Sequence, residues 1–206
     1  MPLFWAENAE QQVLNVEKLD RVLVVQPFGI GDGLFITPML RALKKRGIRK
    51  IDLLLGSRTR ELFELHPHID EIFVWDKSET NLWKILRLLW RLRRIRYQVV
   101  LDFSMGTQYA FLSWVLLGIG VRIGFNFRNR GTFLTHKINL PCGYKDKPVV
   151  EYGLSLLEFL GIRGDRHELE FFLGDRDRDQ AQVVLNQLQV LRDQTFLVVV
   201  PGGGES

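Results

Sequence analysis

The sequence has a single cysteine, Cys142, among its 206 residues. A disulfide framework and a cysteine-based zinc site therefore cannot form within the chain, and so little cysteine is typical of a reducing compartment. The four histidines have neither metal-ligand spacing nor an HExxH motif; they are His66, His68, His136 and His167. The sequence thus predicts no metal site, and we expect these histidines to be ordinary surface or loop residues.

Long hydrophobic runs are also missing. The longest apolar stretch, residues 109–120, is too short to span a bilayer. The opening residues, MPLFWAENAEQQ, lack the basic start and apolar run of a signal peptide. We therefore expect a soluble, cytoplasmic protein with at most peripheral contact with a membrane. Its net charge of +4 favours anionic partners such as phosphates or a membrane surface.

Short β-rich runs alternate with helical stretches along the chain, which has 46% hydrophobic and 25% charged residues. This alternation is typical of an α/β fold, and we predict a Rossmann-like, doubly wound parallel sheet. The predicted strands are 21–26, 51–55, 71–75, 98–103, 122–125, 169–173 and 196–200. The predicted helices are 34–46, 59–65, 81–95, 107–117, 149–160 and 174–191, and we expect 126–147 to be irregular.

A glycine-rich turn, PFGIGDGLFITP, joins the first predicted strand to its helix. Ligands of open α/β sheets bind at the carboxyl ends of strands, so this turn is the first candidate site. Gly29, Gly31 and Gly33 would let the backbone turn tightly and approach a ligand. The turn is not a P-loop, and it is not a dinucleotide fingerprint because Leu34 stands where GxGxxG needs glycine. Asp52, which starts the second strand instead of ending it, also disfavours a nicotinamide-dependent oxidoreductase.

Asp32 is the acidic residue of this turn, and its position allows two interpretations. Its carboxylate could cap the following helix by accepting the N–H groups of Leu34 or Phe35. It could instead be a general base that takes a proton from a substrate hydroxyl. Capping would favour the ionised form and so lower its basicity.

The first 76 residues resemble the opening of glycosyltransferase family 9, the ADP-heptose:lipopolysaccharide heptosyltransferases. The resemblance is carried by motifs at five places, and the remaining sequence is similar more loosely. The motifs are Gly31-Asp32, Thr37-Pro38, Arg41-Ala42-Leu43, Gly56 and Ile69-Asp70-Glu71-Ile72. The final residues, VVVPGGGES, resemble the strand and Pro-Gly loop with which the nucleotide-sugar domain of that family begins.

The resemblance implies the N-terminal half of a GT-B glycosyltransferase, with an acceptor-binding domain at 1–173 and the truncated start of a donor domain at 174–206. The implied reaction moves a heptose-like sugar from an ADP-sugar co-substrate to a lipid-anchored, phosphorylated lipopolysaccharide core. It is inverting, metal-independent and without a resident cofactor, and Asp32 is its general base. Because the implied donor domain is incomplete, we expect the chain alone to be inactive.

Candidate binding residues follow from the same turn and from the later segments. We assign acceptor contacts to Gly29, Ile30, Gly31, Gly33, Thr37, Ser104, Arg128 and Arg130. We assign donor contacts to Gly202, Gly203, Gly204 and Ser206, whose N–H groups and hydroxyl could hold phosphates.

Two basic segments leave alternatives open. Residues 81–95 carry Lys84, Arg87, Arg91 and Arg94 on one stripe, which suits either a solvated helix face or contact with anionic lipid headgroups at the inner membrane. Residues 124–137 interleave phenylalanine with arginine and lysine, which suits acceptor contact, an ordinary surface loop or, least well, nucleic acid. We expect no nucleic-acid partner. A non-catalytic module that binds phosphorylated glycans or nucleotides is the alternative to the enzyme.

Overall fold

The computed structural model describes residues 19–76, 78–164, 166–190, 195 and 197–199. Six strands lie in this part of the chain: β1 (Arg21–Gln26), β2 (Lys50–Leu55), β3 (Glu71–Val74), β4 (Val99–Asp102), β5 (Val121–Phe127) and β6 (His136–Leu140). They form one parallel sheet in the order β3-β2-β1-β4-β5-β6. The predicted Rossmann-like α/β fold is confirmed.

Helices cover both faces of the sheet. They are α1 (Ile30–Phe35), α2 (Thr37–Lys45), α3 (Arg60–Phe63), α4 (Leu82–Ile95), α5 (Thr107–Val115) and α6 (Val149–Glu158), and a further helix, α7 (Asp175–Gln187), follows them in the chain. On one face, alternate strand residues such as Val22 and Val24 share a core with α2 and α6. On the other face, Leu23 and Val25 share a core with α4 and α5. Because both faces are buried, the strands read as continuous apolar runs in the sequence.

The first predicted helix begins earlier than we expected and is interrupted. We predicted one helix over 34–46, whereas α1 begins at Ile30 and α2 begins at Thr37, with Ile36 between them. Pro38 explains the restart, because a residue without an N–H fits only in the first turn of a helix. Three residues of the predicted turn, Gly31, Asp32 and Gly33, therefore belong to α1.

The prediction that 126–147 is irregular is wrong in part, because β6 lies within it. This strand pairs with β5 alone, so it lies at the edge of the sheet. Most of its residues are half-buried or exposed. An edge strand needs few apolar residues, which is why the sequence HKINL gave so weak a strand signal.

The predicted strand at 169–173 does not form. Its backbone is instead held by side chains of α2, since the Glu170 N–H donates to Thr37 Oγ1 at 2.9 Å. Arg41 donates to the Glu168 and Arg166 carbonyls at 3.2 and 3.1 Å, and its Nη1 lies 2.7 Å from Glu170 Oε1. The Glu170 N–H is thus already used and is not available for pairing with a strand.

Contacts divide the chain into two units, one up to Phe172 and one from Leu173. The first holds the sheet and α1–α6, and the second holds α7, none of whose residues is buried. The predicted strand at 196–200 lies partly outside the described residues, and 197–199 are not in a strand. Of the helices in the described part of the chain, none has the length and apolar character needed to cross a membrane.

Candidate functional site

The candidate site lies where β1 ends and α1 begins. In a parallel sheet the carboxyl ends of all strands share one edge, so the residues after β1, β4 and β5 are neighbours there. The link from β1 to α1 is short, running from Pro27 to Gly29. Gly29 is the N-cap of α1 and has extended backbone angles.

Asp32 lies in the first turn of α1 and is not its cap. The capping interpretation is wrong, because the helix begins at Ile30 and Gly29 occupies the N-cap position. No side chain makes a cap hydrogen bond to α1. Within the described part of the chain, no hydrogen bond or ion pair engages the Asp32 carboxylate.

Gln26, the last residue of β1, fixes the position of this turn. Its side chain is buried, and Nε2 donates to the Asp32 backbone carbonyl at 3.0 Å. Its Oε1 accepts the Phe28 N–H at 3.2 Å. The amide of one buried side chain thus bonds both to the link, at Phe28, and to the first turn of α1, at the Asp32 carbonyl. The sequence analysis did not select Gln26, since it reads as the end of an apolar strand.

A cavity of about 270 Å³ opens beside Asp32. Its wall is mainly apolar, and Asp32 is the one acidic or basic residue in it. The lining residues are Gln26, Phe28, Asp32, Phe35, Ile36, Phe103, Met105, Tyr144 and Val149. Burial raises the pKa of the Asp32 carboxyl above its ordinary value. An unpaired carboxylate of raised pKa in an apolar cavity is suited to accept a proton from a bound hydroxyl.

Tyr144 lines the same cavity and was missed by the sequence analysis. Its ring packs against Phe125 and Tyr152, with centroids 5.6 and 4.9 Å away. Burial, and then the negative charge of Asp32, raises the pKa of the Tyr144 phenol. The phenol therefore keeps its proton and can donate a hydrogen bond within the cavity. Tyr144 lies in the loop between β6 and α6, where no local pattern marks a site residue.

Met105 brings a strained backbone to the cavity wall. Its φ of 49° is in the left-handed region, which is uncommon for a residue with a side chain. It follows β4, so its position depends on the strand order rather than on a sequence motif. The turn around it is held by Ser104, whose hydroxyl accepts the Gly106 N–H at 3.2 Å.

The structure separates the predicted acceptor residues into two groups. Gly29, Ile30 and Gly31 are exposed, and a side chain added at either glycine would meet open space. Gly33 is buried against the Phe63 ring, where an added Cβ would lie 3.1 Å away, so it serves packing. Of the predicted acceptor contacts, the first three keep access to a ligand and Gly33 does not.

Thr37 and Ser104 are also corrected. Thr37 is fully buried, and its hydroxyl donates to the Leu34 carbonyl at 2.8 Å while accepting the Glu170 N–H. Ser104 is buried in its own turn, with its N–H bonded to Asp102 Oδ1 at 2.8 Å. Both hydroxyls are already used by the protein, so we remove both residues from the acceptor site.

Arg128 and Arg130 are exposed just after β5, on the same edge of the sheet as Asp32. Neither lines the cavity, and the Arg128 guanidinium lies over the Phe127 ring at 4.9 Å. Their contact with an acceptor stays a prediction. The predicted donor residues, Gly202, Gly203, Gly204 and Ser206, lie outside the described residues.

A larger cavity, of about 830 Å³, runs beside α6. Its lining includes Lys147, Glu151, Glu158, Arg163 and His167. Neither of the two carboxylates that line it is buried. Across the described ranges, histidine, cysteine and acidic side chains do not gather into a group of three that could hold a metal ion.

Comparison with solved structures finds the same fold in glycosyltransferases. A glycosyl transferase family 9 protein from Veillonella parvula matches with a TM-score of 0.70 at 22% identity, over 89% of this chain and 55% of that one. The ADP-heptose lipopolysaccharide heptosyltransferase II of E. coli matches with a TM-score of 0.60 at 19% identity, over 84% and 52%. An E. coli heptosyltransferase solved with ADP matches with a TM-score of 0.56 at 19% identity, over 73% and 50%.

The chain thus spans about half the length of these solved chains. The sequence matches no protein-family model, and no curated protein matches it significantly. At these identities the likeness establishes a shared fold. What the chain does must be argued from its own site.

Proposed function

We propose that this chain is the acceptor-binding part of a glycosyltransferase and that Asp32 is its general base. The observation that carries the proposal is the Asp32 carboxylate, unpaired among the described residues, in an otherwise uncharged cavity at the end of β1. The shared fold with glycosyltransferase family 9 supports a transferase over other uses of a Rossmann-like sheet.

In the proposed reaction, Asp32 takes the proton of an acceptor hydroxyl. The hydroxyl oxygen then attacks the anomeric carbon of the donor sugar, and the bond from that carbon to the diphosphate oxygen breaks. Attack from the opposite side inverts the anomeric centre. Because the pKa of Asp32 is raised by burial, its carboxylate is a stronger base than an exposed aspartate. Holding acceptor and donor together would supply a further part of the rate.

Tyr144 has a separate proposed role. A phenol that keeps its proton cannot compete with Asp32 as a base, but it can donate to an oxygen of the acceptor. The apolar rings around the cavity would pack against the faces of a sugar ring. We propose that Tyr144 orients the acceptor hydroxyl towards Asp32.

The donor is proposed to be an ADP-sugar with a heptose-like sugar, and the acceptor a phosphorylated, lipid-anchored saccharide. Two solved neighbours contain ADP and an ADP-2-deoxy-2-fluoro heptose, which makes an ADP-sugar the first donor to test. The proposal places the donor phosphates near Gly202–Gly204 and Ser206 and uses no metal ion. It also keeps the division of the chain into an acceptor domain at 1–173 and a donor domain from 174.

The test is turnover of the natural full-length protein with Asp32→Asn and Asp32→Ala. We expect each variant to lower kcat by about 10²–10⁴-fold while acceptor binding is retained. In the wild type, the pKa given by the acid limb of the kcat/KM–pH profile should lie above the ordinary range for aspartate. In Asp32→Asn this acid limb should be missing. The control is Asp146→Asn, an exposed carboxylate two residues from Tyr144, which should leave turnover unchanged.

Near-normal turnover in both Asp32 variants would remove this residue from the mechanism. Acceptor binding without turnover in the wild-type full-length protein would favour the non-catalytic glycan-binding module. Binding is best followed by NMR titration of the 206-residue chain, since the residues of the cavity lie within it.

A further inference from the structure

The outward face of α4 is apolar and aromatic, although it points away from the core. Trp83 is 82% exposed, Trp90 57% and Leu86 48%. Spacings of three and four residues place these side chains on one side of the helix. The opposite side, with Leu88 and Leu92, packs into the core beneath α4. If this side of α4 contacted only water, two exposed tryptophans would have no structural purpose there.

The apolar surface continues onto α5. Leu116, at the end of α5, lines the same groove as Trp83 and Trp90, and this groove measures about 610 Å³. Phe111 and Val115 are exposed on α5 at 40% and 47%. The segment that forms α5, TQYAFLSWV, contains no charged residue. We call the exposed side chains of α4 and α5 together the α4–α5 face.

The charges of this face are all of one sign. The helix α4 and its C-cap contain no acidic residue and six basic ones: Lys84, Arg87, Arg91, Arg93, Arg94 and Arg96. Carboxylates within the described ranges pair with only two of them, Glu79 with Lys84 and Glu71 with Arg91. Arg94 lies over the Trp90 ring at 4.2 Å, so cations and indoles share one surface.

Exposed tryptophans bordered by unpaired arginines match the chemistry of a bilayer interface. Indole rings settle at the level of the headgroups, and arginine reaches anionic phosphates beside them. We infer that the α4–α5 face docks onto an anionic lipid surface, with α4 parallel to the membrane plane. A second copy of the chain is a poor occupant, because two such faces would bring unpaired cations together. The inference does not depend on the transfer reaction.

The experiment is co-sedimentation of the 206-residue chain with vesicles of phosphatidylcholine alone or with 30% phosphatidylglycerol. These vesicles contain no sugar donor or acceptor, so the outcome is separate from that of the Asp32 test. We expect binding to the anionic vesicles, at least tenfold weaker on phosphatidylcholine alone. Added salt should weaken the binding, because it screens charge between arginine and lipid.

Two variants test the two components of the face. Trp83→Ala with Trp90→Ala should weaken binding about tenfold, because the two indole rings provide apolar surface that contacts the lipid at the level of the headgroups. Arg87→Gln with Arg94→Gln should weaken binding to anionic vesicles by roughly 25-fold, because each charge contributes about fivefold. The matched control is Arg46→Gln with Arg49→Gln, which removes the same charge from exposed arginines outside α4 and should change binding less than twofold.

Three outcomes would overturn the inference. The first is no binding of the wild-type chain to anionic vesicles. The second is an equal loss in the Arg46 and Arg49 control, which would mean a general effect of net charge. The third is a concentration-dependent oligomer that is abolished by the tryptophan variant while lipid binding is unchanged, which would assign the face to protein contact.

Discussion

At the scale of single residues, the carboxylates of Asp32, Asp52 and Asp102 differ in the hydrogen bonds that they accept. Asp52 is buried, with its Oδ2 2.6 Å from the Tyr97 hydroxyl. Asp102 is buried and accepts the Ser104 N–H, and burial raises its pKa to about 6. Asp32 alone of the three lines the cavity without such a donor. A buried carboxylate with donors stabilises a turn or strand, whereas one without them is free to act on a ligand.

His66 lies in the loop between α3 and β3, but it is not at the surface. Its side chain is buried between the rings of Phe63 and Phe172, with centroids 6.0 and 5.0 Å away. Burial, assisted by the nearby His68 and opposed by Glu170, lowers the pKa of His66 to about 4. The imidazole is therefore neutral in the folded protein at neutral pH.

His66 should make stability depend on pH between about 6.5 and 4. Above this window the imidazole is neutral in both folded and unfolded chains, so it contributes no pH dependence. Within the window the unfolded chain takes up the proton first, so the free energy of unfolding falls as the pH is lowered, by up to about 3 kcal/mol. Urea unfolding at pH 7 and at pH 4.5 measures this loss.

The variant His66→Phe keeps a ring at this position and removes the titration, so its loss between pH 7 and 4.5 should be smaller. The control is His167→Phe, which replaces an exposed histidine and should retain the full loss. An equal loss in wild type and His66→Phe would assign the acid sensitivity to other groups.

At the scale of elements, α1 uses its glycines for two different purposes. Gly31 faces open space, and Gly33 lies against the rings and side chains of α3. The short helix can therefore lie close to α3 through Gly33 and leave backbone accessible at Gly31. Spacing alone cannot separate these roles, because both residues belong to the same glycine-rich run.

A pair of alanine substitutions in α1 should have opposite effects. Gly31→Ala should raise the free energy of unfolding by about 0.5–1 kcal/mol, because alanine is the better helix former. It should also weaken acceptor binding, since the new methyl group occupies the space through which a ligand reaches the backbone. Gly33→Ala should lower the free energy of unfolding, because its Cβ would lie 3.1 Å from the Phe63 ring.

Thermal unfolding and NMR titration with an acceptor measure both effects. Unchanged acceptor affinity in Gly31→Ala would remove Gly31 from the proposed site. A stable Gly33→Ala variant would mean that Phe63 and Leu62 move aside more easily than their packing indicates.

At the scale of the whole molecule, the first unit has the parts of an independent domain. It contains the six-stranded sheet, both cores and the segment around Glu170, which Arg41 binds through an ion pair. Phe172, its last residue, packs on His66. In the second unit, α7 buries no side chain.

A chain that ends at Phe172 should therefore keep the fold of the sheet. We expect its ¹H–¹⁵N spectrum to overlay that of the 206-residue chain for residues of β1–β6, with the unfolding temperature changed by only a few degrees. A chain that ends at Arg163 is the matched comparison, because it also loses the segment bonded to Arg41 and Thr37, and it should be less stable. Loss of the sheet on cutting after Phe172 would show that the first unit is not a domain by itself.

The local sequence determined the α/β class and five of the six strands, and it selected the segment that contains Asp32 as the candidate site. Apolar runs, glycine and proline act over a few residues, so these features can be recognised along the chain. The edge strand β6 was not predicted because a strand that pairs on one side needs little apolar sequence. The strand expected at 169–173 was wrong because the Thr37 hydroxyl accepts the Glu170 N–H, while Arg41 binds the Glu170 side chain and the carbonyls just before the segment.

Only the tertiary structure decided what surrounds Asp32. Tyr144 and Met105 come from a loop and a turn far along the chain, and the strand order brings both to the cavity beside β1. The same packing buried Thr37 and turned Trp83 outward on α4. Periodicity predicts that a helix has two faces, but which face meets the core depends on partners distant in sequence, and no local pattern contains that information.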